Sequence, residues 1–190
     1  MFASGQEADL DWRLYSGGWL VGRVHWPGGG RQDIFSWSLT GPHGPVITMR
    51  GDAATIEEAK ERLITALRSW AAWAGVRREG ADQPRWIRTS EHQPRIFGPA
   101  YDNETDWLLL SGSFVVGRVH RPLSGARHDP HWALTGPHTP RAPLEMQGWA
   151  YSVEDANASL FSAWCAWLRW AELPVPESAA AAARGIPTGD

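Results

Sequence analysis

The sequence predicts an α+β protein made of two similar units, each an antiparallel sheet with one helix packed on one of its faces. Three observations predict this class. Residues 36–45 (SWSLTGPHGP) return as residues 131–140 (HWALTGPHTP). Short alternating apolar runs are separated by Gly and Pro, as expected for strands. Each copy then ends in a longer segment with apolar residues three and four apart, which is typical of an amphipathic helix.

The repeat sets the domain organisation. Residues 11–45 align with residues 106–140 without a gap, and 19 of these 35 positions are identical. Two residues are then inserted in the second copy, after which Met49 matches Met146 and Trp70 matches Trp167. We therefore predict a tandem duplication of a ββββα unit. Its parts are an N-terminal tail (1–10), a first repeat (11–76), a linker (77–104), a second repeat (105–173) and a disordered C-terminal tail (174–190).

Four strands are predicted in each unit. In the first unit, residues 11–15 and 19–26 flank Ser16-Gly17-Gly18, a tight-turn signal between β-rich runs. A third strand, 34–40, ends at Gly41-Pro42, and a weaker fourth strand follows at 46–50. Gly accepts positive φ and Pro cannot donate to a ladder, so the repeated LTGPH is interpreted as a strand end that runs into a turn.

One helix is predicted to close each unit. Residues 55–58 (TIEE) and 152–155 (SVED) have the form of a helix start, in which a hydroxyl accepts from an otherwise unpaired amide and acids lie in the first turn. The apolar stripes that follow place Trp70 and Trp167 at their centres. Each helix should lie across one face of its own sheet.

Strand alternation assigns the two faces of each predicted sheet. We predict that Trp37 and Trp132 face the helix, and that Gly22 and Gly117 leave room for a tryptophan of the helix or the next strand. The opposite, outer face is more apolar than a solvated face should be, so we expect the other repeat, another chain or a ligand to cover it. The candidate binding residues on this face are Tyr15, Trp19, Arg23, His25, Phe114, Arg118 and His120.

Composition and charge argue against several classes of protein. The net charge is −3, and neither unit is a basic block, which lowers the expectation of nucleic-acid binding. Cys165 is the single cysteine, so a disulfide within the chain is impossible and a reducing compartment fits. No apolar run approaches a membrane span. We therefore expect a cytoplasmic protein with no membrane partner.

The sequence GRVHxP, the Trp-x-Leu strand and the GDAATxEEAK segment before a helix with Trp-x-x-Trp carry a resemblance. They resemble short Trp-rich bacterial proteins of about one such unit, of the kind described as domains of unknown function. The resemblance covers nearly all of residues 11–76 and 106–173, with two units fused. It implies a fold and no activity.

Chemically active groups are few in this sequence. His25, His43, His120 and His138 recur between the copies, and His128 and His131 are added in the second, so a histidine metal site is conceivable. We predict no metal site and no cofactor, because there is no His pair one helical turn apart, no Cys cluster and no shared carboxylate nearby. We also expect no enzymatic activity, because no nucleophile, phosphate loop or acid–base pair stands out.

Two functional hypotheses remain. The favoured one is a non-catalytic interaction or structural module that binds a protein, or a second copy of itself, through the outer sheet face. The alternative is nucleic-acid binding, in which sheet and linker arginines contact phosphates and Trp86 stacks on bases. The linker arginines are Arg77, Arg78, Arg85, Arg88 and Arg95. Their charge is cancelled by five nearby acids, which favours a protein partner.

Overall fold

The computed structural model of the protein describes residues 2–4, 11–28, 34–41, 47–77, 80–92, 105–122, 128–135 and 144–176. It confirms a mixed α+β protein with two antiparallel sheets. The predicted disordered tail lies outside the described residues from residue 177 onward. Its first residues do not extend away from the protein, because Pro176 is buried and Val175 packs against the core.

The first sheet has five strands, β1 (Phe2–Ser4), β2 (Asp11–Ser16), β3 (Trp19–His25), β4 (Phe35–Leu39) and β5 (Arg50–Ala53). They pair in chain order, so β1 and β5 are the edges. Helix α1 (Ile56–Trp73) follows and packs on β3, β4 and β5. A two-stranded ribbon, β6 (Val76–Arg77) with β7 (Gly80–Ala81), leads out of this unit.

The second sheet also has five strands, β8 (Arg85–Arg88), β9 (Trp107–Ser111), β10 (Phe114–His120), β11 (His131–Leu134) and β12 (Gln147–Trp149). They again pair in chain order, with β8 and β12 at the edges. A short helix α2 (Thr89–His92) follows β8, and helix α3 (Val153–Trp170) packs on β10, β11 and β12.

Two parts of the strand prediction need correction. The fourth strand was expected at 46–50 but lies at Arg50–Ala53. Its Gly51 lies opposite Trp37, and a Cβ at Gly51 would come within 3.0 Å of the indole Nε1, so this glycine makes room for the tryptophan. Each sheet also has a fifth strand that was not predicted, which comes from the N-terminal segment in one sheet and from the linker segment in the other.

The predicted helix starts are confirmed. The Thr55 hydroxyl accepts from the Glu58 amide at 3.1 Å, and the Ser152 hydroxyl accepts from the Asp155 amide at 3.0 Å. Glu58 also accepts from the amide of Ala54, the residue before the N-cap, at 2.9 Å. The two N-cap bonds, to the amides of Glu58 and Asp155, satisfy groups that the helices leave without intrahelical partners.

The helix ends differ between the units. Just after α1, Gly75 has a φ of +66°, the left-handed conformation that glycine adopts without cost. At the matching position after α3, Glu172 has a φ of +52°. A side chain in this region is strained, so the second unit pays a conformational penalty at this point that the first does not.

A β-bulge in the second strand of each central hairpin corrects the predicted faces. Leu14 lies opposite Gly22 and Tyr15 lies opposite Leu20, so Val21 is the extra residue in β3. A bulge reverses the alternation of side chains along the strand. Trp19 before the bulge and Val24 after it are therefore both fully buried in the core.

The same correction applies to the second sheet, where Val116 is the extra residue in β10. Phe114, predicted on the outer face like Trp19, is buried in the core. Trp37 and Trp132 are buried as predicted. The space above Gly22 and Gly117 is filled by the helix leucines Leu63 and Leu160 rather than by a tryptophan.

The two units share one hydrophobic core. Trp19 contacts Trp70 of its own unit and Trp167 of the other, with ring centroids 5.1 and 5.5 Å apart. Phe114, at the matching position, contacts Trp70 at 6.2 Å and Trp164 at 5.8 Å. Trp70 and Trp167, which were predicted at the centres of the apolar stripes of their helices, thus lie in the aromatic cluster where the two units meet.

Two backbone hydrogen bonds join the units reciprocally. The amide of Gly18, in the β2–β3 turn, donates to the carbonyl of Trp170 at the end of α3. The amide of Ser113, in the β9–β10 turn, donates to the carbonyl of Trp73 at the end of α1. Both distances are 2.9 Å. Each hairpin therefore satisfies a terminal carbonyl of the other unit's helix.

Candidate functional site

Four of the seven predicted binding residues lie in matching positions on the outer faces. Residues that lie directly opposite each other in antiparallel strands point to the same face. Arg23 lies opposite Arg13 and Ser38, and His25 lies opposite Asp11 and Ser36. In the second sheet, Arg118 lies opposite Leu108 and Ala133, and His120 lies opposite His131. Tyr15 is half-buried beside Leu20, whereas Trp19 and Phe114 belong to the core.

The Arg23 guanidinium forms an ion pair with a carboxylate of its own sheet. It donates to both oxygens of Asp11, at 2.7 and 2.9 Å. This bidentate pair holds the pKa of Asp11 below its usual range, chiefly through the hydrogen bonds from Arg23. Both side chains are partly open to solvent, so the pair stabilises the fold only modestly.

In the matching pair of the second sheet the carboxylate is buried and the arginine is partly exposed. Arg118 donates to both oxygens of Asp106, and the Thr89 hydroxyl donates to the same carboxylate at 2.6 Å. The Asp106 side chain is 3% exposed, compared with 22% for Asp11. Because Thr89 belongs to α2, this carboxylate ties the segment after β8 to the central strands. Arg118 therefore forms part of the link between these segments.

A row of aromatic and imidazole side chains crosses the outer face at one end of the second sheet. The rings of His120 and His131 are 5.5 Å apart, and those of His131 and Trp149 are 4.7 Å apart in an edge contact. We call these three residues, together with the exposed Tyr151 that lies two residues beyond β12 in the chain, the aromatic row. Burial lowers the pKa of both histidines, and Arg118 lowers that of His120 further, so they favour the neutral form.

The aromatic row carries the most exposed aromatic side chains in the described part of the chain. Trp149 is 45% exposed and Tyr151 is 97% exposed. The alignment of the repeats places Ser36, Asp52 and Ala54 where the second unit has His131, Trp149 and Tyr151. In the first sheet the Ser36 hydroxyl instead donates to Asp52 at 2.8 Å.

Our sequence reasoning missed the aromatic row because it concentrated on positions that the repeats share. The signal was present where the copies differ. A change from Asp and Ala to Trp and Tyr on a surface strand adds exposed apolar area that packing does not require. The outer face of the first sheet is polar, since Trp19 and Val21 lie inside. The apolar character on which the expectation of a covered face rested is therefore reduced there.

On the second sheet that expectation holds along β9. Leu108 and Leu110 point outward, and both are buried, so that part of the face is covered within the chain itself. The part that remains open is the end that contains the aromatic row.

A groove runs beside the helix of each unit, against Trp37 and the segment before β5 in the first unit and against β12 in the second. In the first unit it encloses about 600 Å³ and is lined by Glu58, Glu61 and Arg62 of α1. In the second unit it encloses about 700 Å³, and α3 contributes only Ala and Ser. The α3 residues that line the second groove are Ala158, Ser159, Ser162, Ala163 and Ala166. The rest of its lining consists of Trp132, Leu144, Glu145, Gln147, Gly148 and Trp149.

The two grooves differ at the strand edge. Arg62 donates to the backbone carbonyl of Asp52 at 2.8 Å and to the Glu58 carboxylate at 2.7 Å. It therefore covers an outward group of edge strand β5. The matching residue on α3 is Ser159, which has no charge and a short side chain.

The residues invoked for nucleic-acid binding are only partly accessible. Trp86 is buried in the core, and Arg88 lies over the Trp107 ring at 3.9 Å. Arg77 and Arg85 are exposed, while Arg78 and Arg95 lie outside the described residues. The predicted stacking residue is thus unavailable.

No group of three or more His, Cys, Asp or Glu side chains within the described ranges could hold a metal ion. His43 and His138 lie outside those ranges. None of the described helices, including α1 and α3, is long and apolar enough to cross a membrane.

Comparison with protein-family models, with curated proteins and with solved structures found no match to this chain.

Proposed function

We propose that the chain is a tandem duplication of a ββββα unit that acts as a non-catalytic protein-interaction module. Its binding surface is the open end of the outer face of the second sheet, centred on the aromatic row. The buried thiol of Cys165, the only cysteine, fits a reducing compartment, so we propose a cytoplasmic location.

The observation that carries this proposal is the exposure of Trp149 and Tyr151. Their counterparts Asp52 and Ala54 show that the unit folds without aromatic residues at these positions. Tryptophan and tyrosine are enriched among the residues that dominate binding energy in protein interfaces. Of the residues proposed from the sequence, His120 belongs to the row through its contact with His131, and Arg118 lies two residues before it on β10.

Charge supports a protein partner over nucleic acid. Asp129, Glu154 and Asp155 are exposed near the aromatic row, and Glu145 is exposed at the other end of β12. Phosphate groups would meet these carboxylates unfavourably, because nucleic-acid binding depends on neutralising phosphates with Lys and Arg.

The test is a cross-linked pull-down with mass spectrometry on the full chain. The double variant Trp149→Asp, Tyr151→Ala is expected to lose roughly tenfold or more in partner recovery, as when binding hot spots are removed. The matched control is Trp26→Ala, which removes an exposed tryptophan of the first unit, 39% exposed. It should bind as the wild type does.

Circular dichroism must show that both proteins are folded. A folded double variant that recovers every wild-type partner would contradict the proposal. Nuclease treatment distinguishes the alternative, since partners held through DNA or RNA would be lost after digestion.

A further inference from the structure

We propose that His120 and His131 form a zinc site across strands β10 and β11, in which two imidazoles hold one Zn²⁺ ion and water fills its other positions. This inference goes beyond the proposed function and does not depend on it. Imidazole nitrogen is a preferred protein ligand of Zn²⁺. We predicted no metal site partly because the sequence has no histidine pair one helical turn apart, whereas this pair lies across two strands.

The register of the second sheet places the two histidines side by side. His120 lies directly opposite His131 in the ladder between β10 and β11. Residues in this relation point to the same face of the sheet. Their ring centroids are 5.5 Å apart. A tetrahedral ion bound to one nitrogen of each ring at about 2.0–2.1 Å would set the two centroids about 5 Å apart, so the observed separation is close to that of a shared ion.

Rotation of the rings completes the geometry. The two ring planes are inclined by 71°. The χ2 torsion of histidine has a broad range, so each ring can turn a nitrogen toward the space between them. The Nδ1 atom of His120 is buried and has no hydrogen-bond partner within the described part of the chain. A buried polar atom without a partner costs free energy, and a bound ion would supply one.

The surroundings of the pair allow a cation to reach it. Both histidines are partly exposed, which leaves a path from solvent. Arg118, two residues before His120, donates to both oxygens of Asp106, so these two side chains together carry no net charge. Asp129, two residues before His131, is exposed and adds a negative charge. The charged groups beside the pair therefore do not oppose the binding of a cation.

The first unit has only half of this arrangement. There His25 lies opposite Ser36, and the Ser36 hydroxyl donates to Asp52. The Nδ1 atom of His25 is also buried without a hydrogen-bond partner, but no second imidazole lies opposite it. The fold therefore accepts serine where the second unit has His131. The two units supply a natural comparison between one imidazole and two in the same place.

The test is a titration of the full chain with zinc sulfate, followed by isothermal titration calorimetry at about pH 7.5, where free imidazole is mostly neutral. We expect saturable binding that excess Mg²⁺ does not prevent, since Mg²⁺ prefers oxygen ligands. The imidazole NMR signals of His120 and His131 should shift together as Zn²⁺ is added. His131→Ser, which installs the residue of the first unit, should weaken this binding roughly tenfold or more, at least as much as the loss of a hydrogen bond that orients a ligand.

The matched control is His25→Gln, which removes the imidazole at the position of the first unit that corresponds to His120. It should leave the affinity within about twofold, as expected for a site with no shared partner. Ser36→His builds the opposed pair in the first unit and should add a second equivalent of bound Zn²⁺. Circular dichroism must show that each variant is folded, and His131→Asn replaces His131→Ser if the latter is not.

Several results would overturn the inference. Zn²⁺ binding that is unchanged in folded His131→Ser, or that is lost equally in His25→Gln, would place the ion elsewhere. The absence of saturable binding to the wild type up to about 1 mM Zn²⁺ would remove the site. A Ser36→His variant that binds no second ion would contradict the argument from the opposed pair. The pull-down run in the presence of a chelator tests the proposed function separately, so either idea can fail alone.

Discussion

The last strands of the two units, β5 and β12, occupy the same place in their sheets and have opposite surface character. Around β5, Asp52 is bonded through its side chain to Ser36 and through its carbonyl to Arg62. Around β12, Trp149 packs on His131, and Ser159 replaces the arginine. The difference teaches that one scaffold can carry either polar or exposed aromatic side chains at this place in its sheet. The core beneath each edge is built the same way.

The buried carboxylate should show the largest difference between the units. Asp106→Asn removes the charge that accepts from Arg118 and Thr89, and we expect the free energy of unfolding to fall by about 1.5–3 kcal/mol. Asp11→Asn, at the exposed pair, should cost less than about 1 kcal/mol. Urea unfolding of both variants measures this contrast. If both variants lost the same free energy of unfolding, burial of the carboxylate would not explain a difference between the two ion pairs.

The aromatic row should make stability depend on pH. The pKa values of His120 and His131 are lowered in the folded protein, so the folded state binds fewer protons than the unfolded chain. The free energy of unfolding should therefore fall as pH drops below about 6.5, the ordinary histidine pKa. Thermal unfolding between about pH 7 and 5 measures this decline, above the range where carboxylates titrate.

The control for the pH prediction is the double variant His120→Gln, His131→Ser, which gives His131 the residue of the first unit. We expect a flatter dependence on pH over this interval. If the variant loses stability on acidification as steeply as the wild type, the row is not responsible.

The smallest expected effect compares the two helix ends. Glu172→Gly should stabilise the protein by about 0.5–1 kcal/mol, because glycine adopts the left-handed conformation without strain. Gly75→Ala should destabilise it, since a Cβ there would lie 2.8 Å from the Gly112 amide nitrogen. Differential scanning calorimetry of both variants decides the matter. Two shifts of the same sign would mean that conformational strain does not control these positions.

Periodicity and turn chemistry predicted much of the fold. The helix starts at Thr55 and Ser152 and the burial of Trp37 and Trp132 follow from local patterns. The faces of Trp19 and Phe114 did not follow, because one extra residue at Val21 or Val116 reverses strand parity and no residue type marks it. Strands β1 and β8 were missed because three or four residues show too little alternation to stand out beside tails and linkers.

The candidate site was only partly predictable, for a related reason. Arg23, His25, Arg118 and His120 were placed on the outer face correctly. Whether an arginine is available to a partner depends on its carboxylate and on burial, which are tertiary properties. Exposure of Trp149 and Tyr151 likewise depends on how the chain around β12 turns into α3. The contrast between aligned positions was the only indication available from the residues themselves.

The reciprocal bonds between hairpins and helix ends bear on cooperativity. Because Gly18 binds the Trp170 carbonyl and Ser113 binds the Trp73 carbonyl, neither unit can open its hairpin without uncovering the other's helix end. Trp19 and Phe114 would leave the shared aromatic cluster in the same event. Local melting of one half is therefore penalised by the other, and the chain should unfold in a single all-or-none transition despite its internal repeat.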